Sequence, residues 1–342
     1  MASIQHSILY WFDENKRDLP WRESKNPYSV WISEIILQQT RVEQGKPYYD
    51  RFMNRFPSVF DLANADEEDV LLAWKGLGYY TRARNIHKCA KTIVGEYGGS
   101  FPKEREELLN LPGIGEYTAA AIASICWDQP YIALDGNIIR IVSRVFNIDR
   151  PFSQSLGKAV FKTMGQELVS KERPGDFNQA LMDLGASICL PKSPRCDQCP
   201  ILGFCEAKKI NKHQERPVKL AKRKPINRFL LFFVHHNNKK LALIKQENSG
   251  IWQNLYLFPY VEYPSEHQLL EAKEGFDSIV SGTHLLSHQR IHYVAIKRER
   301  LKKQEDMQQE RVWVPVKDIE NLPFPRLMAH IFEAWPNAKT QD

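Results

Sequence analysis

Four of the six cysteines of this 342-residue chain fall within one short window, and this cluster is the feature that most restricts the possible fold and cofactor. The window is spaced C-x6-C-x2-C-x5-C and consists of Cys189, Cys196, Cys199 and Cys205. A secreted disulfide scaffold would be shorter and denser in cysteine. Four thiolates at close spacing can bind zinc tetrahedrally or hold a [4Fe–4S] cube. A compact loop with a single C-x-x-C pair favours the cube and leaves zinc as the alternative.

Length and composition predict two ordinary globular domains. Hydrophobic residues make up 43% of the chain and aromatic residues 11%, which argues against wholesale disorder. No apolar run approaches the ~20 residues of a membrane span, and the N-terminus lacks the pattern of a secretory signal. The sequence therefore predicts a soluble intracellular protein. The net charge of +6 is compatible with a polyanionic partner without establishing one.

Periodicity divides the chain at about residue 207. Apolar residues recur at helical spacing in the first part, and no strand-like run precedes residue 226. Helices are expected at Ile4–Phe12, Val30–Thr40, Tyr48–Phe56, Asp69–Trp74 and Arg84–Tyr97, with a loop over Asp13–Arg22. Residues 208–227 are basic and predict a solvated linker. The alternative is a segment that contacts phosphates. The pattern indicates an all-α domain followed by a linker.

Short β-like runs follow the linker and predict an α+β second domain. Phe229–His235 and Leu241–Lys245 flank a polar turn, which suggests a hairpin. Further strands are expected at Leu255–Tyr260, His292–Ile296 and Arg311–Val316, and a closing helix at Phe324–Trp335.

The segment Leu111–Gly115 reads LPGIG and lies between predicted helices at Glu104–Asn110 and Glu116–Cys126. Two glycines at this spacing allow a tight turn that exposes backbone N–H groups at a helix N-terminus, where a phosphate can bind. A plain helix–helix turn is the alternative. Asp135 follows at the expected start of another helix, which carries Arg140 and Arg144. By itself, an aspartate there reads as an N-cap.

The order of hairpin, Asp135 and cysteine loop resembles the endonuclease III superfamily of DNA base-excision glycosylases. Within it, Trp31–Thr40 and Gly76–Asn85 look like signatures of the MutY family, which acts on adenine. The resemblance covers essentially the whole chain. It implies a helix-hairpin-helix glycosylase domain with a [4Fe–4S] loop at 1–207, a basic linker at 208–227, and a Nudix-like 8-oxoguanine recognition domain at 228–342.

The resemblance also implies a reaction and its partners. The substrate would be duplex DNA of the bacterial nucleoid, with adenine opposite 8-oxoguanine or guanine. The protein is expected to be a monomer without membrane contact, and the absence of targeting signals predicts a cytoplasmic location. Glu34 would protonate N7 of the extruded adenine, and Asp135 would stabilise the oxocarbenium-like charge. Tyr117 and Asn137 would position this pair. Apolar neighbours suggest a raised pKa for Glu34, although a solvated helix residue would be the default without the motif.

Tyr117 separates the branches of the superfamily. Endonuclease III itself has a lysine at the matching position, and that amine attacks C1′ and then cleaves the strand. Without it a Schiff base cannot form at this site. The resemblance therefore implies a monofunctional glycosylase rather than a lyase.

Further residues would meet the DNA. Gly113 and Gly115 would bind a phosphate. Gln38 and Gln39 would lie at the DNA, with Gln39 as the intercalator, and Tyr79 would wedge beside the opposite base. The adenine pocket would be lined by Trp21, Arg22 and Gln179, with core packing as the alternative for Trp21. Leu286, Ser287 and His288 match a Phe-Ser-His loop of relatives, with leucine in place of phenylalanine. Asn254 stands where relatives tend to have glycine.

Residues 228–342 contain no R-E-x-x-E-E-x-G run. The second domain is therefore interpreted as a recognition module rather than a nucleotide hydrolase. Three other interpretations of the whole chain stay open: a bifunctional lyase, a non-catalytic damage-binding protein, and a zinc-dependent DNA-binding protein.

Overall fold

The computed structural model describes residues 3–221, 224–298 and 311–336. Residues 1–2, 222–223 of the predicted linker, and 299–310 and 337–342 of the predicted second domain lie outside this described part. The chain divides into two compact units, one of Met1–Ala63 with Lys88–Ala221 and the other of Asn64–His87 with Lys222–Asp342. In the described part, no helix is both long and apolar enough to cross a membrane.

The first unit is helical, as expected from the periodicity. The helices up to residue 209 are α1 (Ile4–Asn15), α2 (Pro27–Ile36), α3 (Val42–Arg55), α4 (Val59–Asn64), α5 (Glu67–Ala73), α6 (Thr81–Tyr97), α7 (Arg105–Asn110), α8 (Glu116–Trp127), α9 (Gly136–Val145), α10 (Ser155–Leu168), α11 (Pro174–Ser187) and α12 (Glu206–Lys209). Of these, α5 belongs to the second unit, and α4 and α6 span the boundaries between units. Helix α11 packs against α1, α8 and α9. Its apolar face joins a core that includes Phe12, Ile141, Phe161, Phe177 and Leu181.

Helix α2 begins and ends for identifiable reasons. The Asn26 side chain accepts hydrogen bonds from the main-chain N–H groups of Tyr28 at 2.9 Å and Ser29 at 3.3 Å, and Pro27 occupies the first helical position. The helix ends at Ile36, short of the predicted Thr40, because Gln39 has a left-handed φ of 63°. That conformation is not visible in the apolar pattern.

The predicted loop and linker are partly folded. Helix α1 continues to Asn15, and a 3-10 turn covers Pro20–Arg22, so Asp13–Arg22 is not wholly a loop. Within 208–227, the side chains of His213 and Arg216 are buried. The first part of the basic segment is therefore packed structure, because main-chain carbonyls there accept hydrogen bonds from buried Arg144.

The second unit carries two sheets beside Asn64–His87. Its strands are β1 (Ile226–Val234), β2 (His236–Asn237), β3 (Lys240–Lys245), β4 (Tyr256–Leu257), β5 (Tyr260–Tyr263), β6 (Ser278–Leu285), β7 (Gln289–Lys297) and β8 (Arg311–Pro315), with helices α13 (Glu266–Lys273) and α14 (Arg326–Ala334). One sheet has the order β5-β1-β7-β6, in which β1 and β7 run parallel. The other has the order β2-β3-β4, with β8 paired to β3.

The predicted hairpin of Phe229–His235 with Leu241–Lys245 is right at its turn and wrong along most of its first strand. The chain does reverse at the polar turn, where His236 pairs with Leu241 and the N–H of Ala242 donates to the carbonyl of His235 at 2.9 Å. Strand β1 pairs with β5 and β7, whereas β3 pairs with β2, β4 and β8. The chain leaves the first sheet at His235 and enters the second. Both runs are buried along most of their length, and a continuously apolar strand does not reveal its partner by alternation. The sequence pattern also missed β6 and α13, which have little apolar periodicity.

Candidate active site and iron–sulfur loop

Glu34 and Tyr117 meet between two packed helices. Glu34 lies near the end of α2 and is 8% exposed, while Tyr117 is the second residue of α8, directly after the hairpin. The Tyr117 hydroxyl donates a hydrogen bond to Oε2 of Glu34. Residues widely separated in sequence are therefore in direct contact, as the resemblance implied.

Burial makes Glu34 an acid that holds its proton near neutral pH. The pKa of Glu34 is raised to about 7, chiefly by loss of hydration and also by the charge of Asp135, while the Tyr117 hydrogen bond and the Arg22 charge oppose the rise. Burial and these two carboxylates also raise the pKa of Tyr117 well above its usual range. Tyr117 is therefore a permanent donor, and Glu34 is the group that titrates.

Asp135 is the N-cap of α9. Its Oδ1 accepts from the main-chain N–H of Ile138 at 2.7 Å, and its Oδ2 accepts from Nδ2 of Asn137 at 2.8 Å. Burial raises the pKa of Asp135, and these hydrogen bonds oppose that rise. Asp135 can be both an N-cap and a catalytic residue, because the capping hydrogen bonds fix its carboxylate where its charge acts on Glu34.

Arg140 fixes the orientation of Asn137. Its Nη2 donates to Oδ1 of Asn137 at 2.8 Å and to the carbonyl of Gly185 at 2.7 Å, and its Nε donates to the carbonyl of Cys189 at 2.6 Å. A continuous set of hydrogen bonds therefore runs from the cysteine loop through Arg140 and Asn137 to Asp135.

Gly185 of α11 leaves space for Asn137. A Cβ at this position would lie 2.5 Å from Cβ of Asn137. We expect Gly185→Ala to lower the free energy of unfolding by about 1–3 kcal/mol and to slow catalysis, because Asn137 must move away from Asp135. Thermal unfolding checks the first effect. Gly95→Ala in α6, where a Cβ meets nothing within 4 Å, is the control and is expected to be neutral or stabilising.

The loop that leads to Asp135 is held by Asn178, a residue that the sequence interpretation missed. Asn178 is fully buried and donates to Oγ of Ser124 at 2.9 Å and to the carbonyl of Tyr131 at 2.8 Å, while its Oδ1 accepts from the N–H of Ala133 at 3.0 Å. An asparagine among apolar neighbours of α11 was a usable signal, since a buried amide requires partners.

The three predicted adenine-pocket residues have different surroundings. Trp21 is 7% exposed and packs edge-on against Tyr49, so it also belongs to the core. Arg22 donates to buried Asp183 at 2.8 Å. Gln179 and Arg22 line one polar cavity of about 260 Å³. Asp183 was missed by the sequence interpretation, although a buried carboxylate needs cations of this kind.

The hairpin has the conformation that its glycines predict. Gly113 adopts a left-handed φ of 77°, and Gly115 is the N-cap of α8. Both glycines are exposed. The main-chain N–H groups at the start of α8 therefore lie at the surface, beside Tyr117.

The predicted DNA-contacting side chains outside this pocket lie at surfaces. Gln39 is exposed just after α2, and Gln38 is half-buried. Tyr79, in the second unit, is 48% exposed with a φ of 49°. Ser287 and His288 are exposed in the turn between β6 and β7, with Leu286 half-buried beside them.

Asn254 has a structural explanation. Its φ is 61°, a conformation that glycine and asparagine adopt most readily. Its side-chain amide donates to Glu67 of the same unit. The departure from glycine at this position is therefore tolerated by the backbone and used by the side chain.

The four clustered thiols form no disulfide and are partly buried. Burial raises the pKa of Cys199 to about 12, and thiolate charge at the other three cysteines contributes to the rise. Arg144 is 2% exposed and donates to Sγ of Cys189 at 3.1 Å and to the carbonyl of Leu190 at 2.9 Å. An all-sulfur donor set beside a buried cation suits an iron–sulfur cluster.

Comparison with known proteins decides the family. Residues 32–160 match the helix-hairpin-helix superfamily of base excision DNA repair proteins, residues 189–205 the iron–sulfur binding domain of endonuclease III, and residues 230–334 the NUDIX domain. The adenine DNA glycosylase of Buchnera aphidicola subsp. Acyrthosiphon pisum (strain APS) is 33% identical over 335 residues, which cover 95% of each chain. This chain belongs to the adenine DNA glycosylase family. Its fold class is a helical glycosylase domain joined to a Nudix domain, and its cofactor is a [4Fe–4S] cluster.

Other relatives and solved structures match part of the chain. The human adenine DNA glycosylase is 43% identical over 217 residues, which cover 61% of this chain and 40% of the relative. The rat protein is 43% identical over 216 residues, and this chain spans 42% of its length. The solved structure of a thermostable thymine-DNA glycosylase has a TM-score of 0.55 at 29% identity and covers 60% of this chain and 95% of its own. A non-covalent endonuclease III–DNA complex shares the fold with a TM-score of 0.51, 22% identity, and coverage of 60% and 94%.

The cluster gives a direct test. We expect purified protein to be brown, to absorb in the visible range and to contain about four irons per chain, whereas a zinc protein is colourless. The serine variant of Cys199 should lose the absorption. A colourless wild-type protein with stoichiometric zinc would contradict this expectation, and Cys89→Ser, at a buried cysteine of the same unit outside the loop, is the control.

Proposed function

We propose that this protein is a monofunctional DNA glycosylase that removes adenine paired with 8-oxoguanine or guanine in duplex DNA. The observation that carries the proposal is buried Glu34, which titrates near neutral pH under the influence of half-buried Asp135. Family membership supplies adenine as the base. The site supplies an acid and a carboxylate, which cleavage of an N-glycosidic bond requires.

The adenine leaves the stack before reaction. Tyr117 donates to Oε2 of Glu34, so the acidic proton of Glu34 resides on Oε1. From there it passes to N7 of adenine. The bond between C1′ and N9 then breaks, and its electron pair goes to the protonated base.

Asp135 acts on the sugar in this scheme. Its carboxylate, held by Asn137 and the N–H of Ile138, stabilises the positive charge that develops at C1′. Water adds to C1′ and loses a proton, and the products are adenine and an abasic site. No amine takes part, because Tyr117 occupies the position of the lyase lysine.

The second domain recognises the base opposite adenine in this proposal. Ser287 and His288 form an exposed turn, and Ser287 Oγ lies 3.2 Å from Nδ1 of His288. Both can hydrogen-bond to a base edge, while Leu286 provides apolar contact. The protein acts as a cytoplasmic monomer on chromosomal DNA, and the hairpin N–H groups of α8 bind its backbone.

The test is single-turnover adenine release from a duplex with one adenine opposite 8-oxoguanine, with A:G and A:T duplexes beside it. Strand breaks are scored with and without alkali. Release that needs alkali to reveal a break supports the proposal. Breaks without alkali would indicate a lyase, and tight binding without release would indicate a damage-binding protein.

A further inference from the structure

We propose that the C-terminal domain positions Tyr79, the wedge beside the opposite base, by fastening the segment Asn64–His87 that carries it. The inference rests on the proposed role of Tyr79 at the DNA. The segment and the C-terminal residues form one compact unit, although residues 64–87 lie within the match to the glycosylase superfamily. The contacts that join them surround the Tyr79 loop on both of its sides.

The loop before Tyr79 has a fixed, unusual backbone. Gly76 and Gly78 have φ values of 95° and 70°, and Tyr79 follows with 49°. The indole N–H of Trp74 donates to the carbonyl of Gly78 at 3.1 Å, and the Arg82 guanidinium lies 5.7 Å from the Tyr79 ring. A tyrosine in a left-handed conformation is costly, so the loop requires support from its surroundings.

That support comes from the C-terminal residues on either side of Tyr79. Lys75 donates to the carbonyl of Glu320 at 2.9 Å. The hydroxyl of buried Tyr80 donates to the carbonyl of Phe324 at 3.3 Å. The residues that flank the wedge loop are thus hydrogen-bonded to main-chain carbonyls, which cannot move independently of that domain.

Helix α5 adds a charged contact. The Glu68 carboxylate accepts from Nζ of Lys245 at 2.7 Å and from the hydroxyl of Tyr256 at 3.2 Å. The neighbouring Glu67 accepts from Asn254. Lys245 and Tyr256 are paired residues of strands β3 and β4. Through Glu68, helix α5 is therefore attached to a β-sheet.

The arrangement couples two tasks that would otherwise be separate. Tyr79 must resist the opposite strand in order to open the base pair. The domain that reads the opposite base, through the turn at Ser287, also holds the wedge. Removing the α5 contact is therefore expected to weaken the action of Tyr79 without touching Glu34 or Asp135.

A charge exchange between Glu68 and Lys245 tests the coupling. Each of Glu68→Lys and Lys245→Glu places like charges together and is expected to slow adenine release about two- to five-fold, since both groups are 38% exposed. The double exchange should restore the wild-type rate. In a Tyr79→Ala background, the same single changes should have no further effect, because the wedge is already lost.

A second readout does not depend on activity. Hydrogen exchange of the main chain at residues 74–80 should become faster in each single variant and return to the wild-type rate in the double exchange. Glu262→Lys breaks another 2.7 Å ion pair of the unit, with Arg228, and should leave this exchange unchanged. If exchange at 74–80 does not respond, the coupling is wrong. The same follows if the single changes slow Tyr79→Ala further.

The two proposals fail in different ways. A wild-type protein that releases no adenine from any duplex would refute the proposed function. The exchange measurement would still show whether Glu68 and Lys245 hold the loop. If the wild-type protein releases adenine normally but hydrogen exchange at residues 74–80 is unchanged in the single variants, only the coupling is refuted.

Discussion

Asp135→Asn is expected to lower single-turnover adenine release by roughly 10³-fold, while binding of the mismatched duplex stays close to wild type. Asparagine keeps Oδ1 for the N–H of Ile138, so the cap of α9 is retained. It removes the negative charge that stabilises C1′. It also turns an amide toward Nδ2 of Asn137, where the wild-type carboxylate accepts at 2.8 Å.

The control for this prediction is Asp61→Asn. Asp61 also accepts a main-chain N–H at the start of a helix, from Ser58 at 3.0 Å, but it is exposed and belongs to α4. Its replacement should leave adenine release unchanged. Turnover by Asp135→Asn at the wild-type rate would make Asp135 only a cap. Loss of duplex binding together with release would show that the substitution had disturbed the fold.

Local features of the site could be predicted from the sequence because each depends on a few neighbouring residues. The glycines of the hairpin predicted its tight turn, in which Gly113 has a left-handed φ of 77°. Asp135 before a periodic apolar run predicted the N-cap, and the resemblance placed Glu34 beside Tyr117 before any contact was known. The predicted boundaries of α8 differ from the structure by one residue at its end.

Other features depend on partners that are distant in sequence, and there the pattern was insufficient. Asn178, Arg140 and Asp183 support the site from buried positions, and nothing local shows which groups they bind. The predicted pairing of β1 with β3 is wrong for the same reason, since the apolar pattern of a buried strand does not show which strand lies next to it. The predicted helix Val30–Thr40 includes Gln39, because apolar periodicity does not reveal its left-handed φ of 63°.

Asn254 illustrates how a departure from relatives becomes interpretable. In the sequence, the asparagine stands where relatives tend to have glycine. In the structure, its backbone is left-handed and its amide meets Glu67, so the residue belongs to the support of α5. Leu286 has no such partner among its described hydrogen bonds beyond its own turn, where its N–H donates to Gln289 at 2.9 Å.

Glu34→Gln is expected to lower adenine release by about 10²–10⁴-fold, the usual contribution of a general acid. Glutamine can still accept from Tyr117 but has no proton to give. The rate of the wild-type protein should fall as pH rises through about 7, where Glu34 loses its proton. The small residual rate of Glu34→Gln should not show that decline. Tyr117 keeps its proton throughout, because its pKa is raised well above the usual value.

The same pKa predicts an effect on stability with a definite sign. Folded Glu34 keeps its proton up to about pH 7, whereas the unfolded chain releases it near the ordinary value of 4.5. Raising the pH across this window therefore favours unfolding. Glu34→Gln cannot ionise, so its stability relative to wild type should rise by roughly 1–3 kcal/mol between pH 4 and pH 8. Thermal unfolding of both proteins at pH 4 and pH 8 measures this. If the relative stability of the glutamine variant does not rise over this range, Glu34 is not a buried acid. Its carboxylate would then be ionised at neutral pH, and N7 of adenine would have to receive its proton from another group.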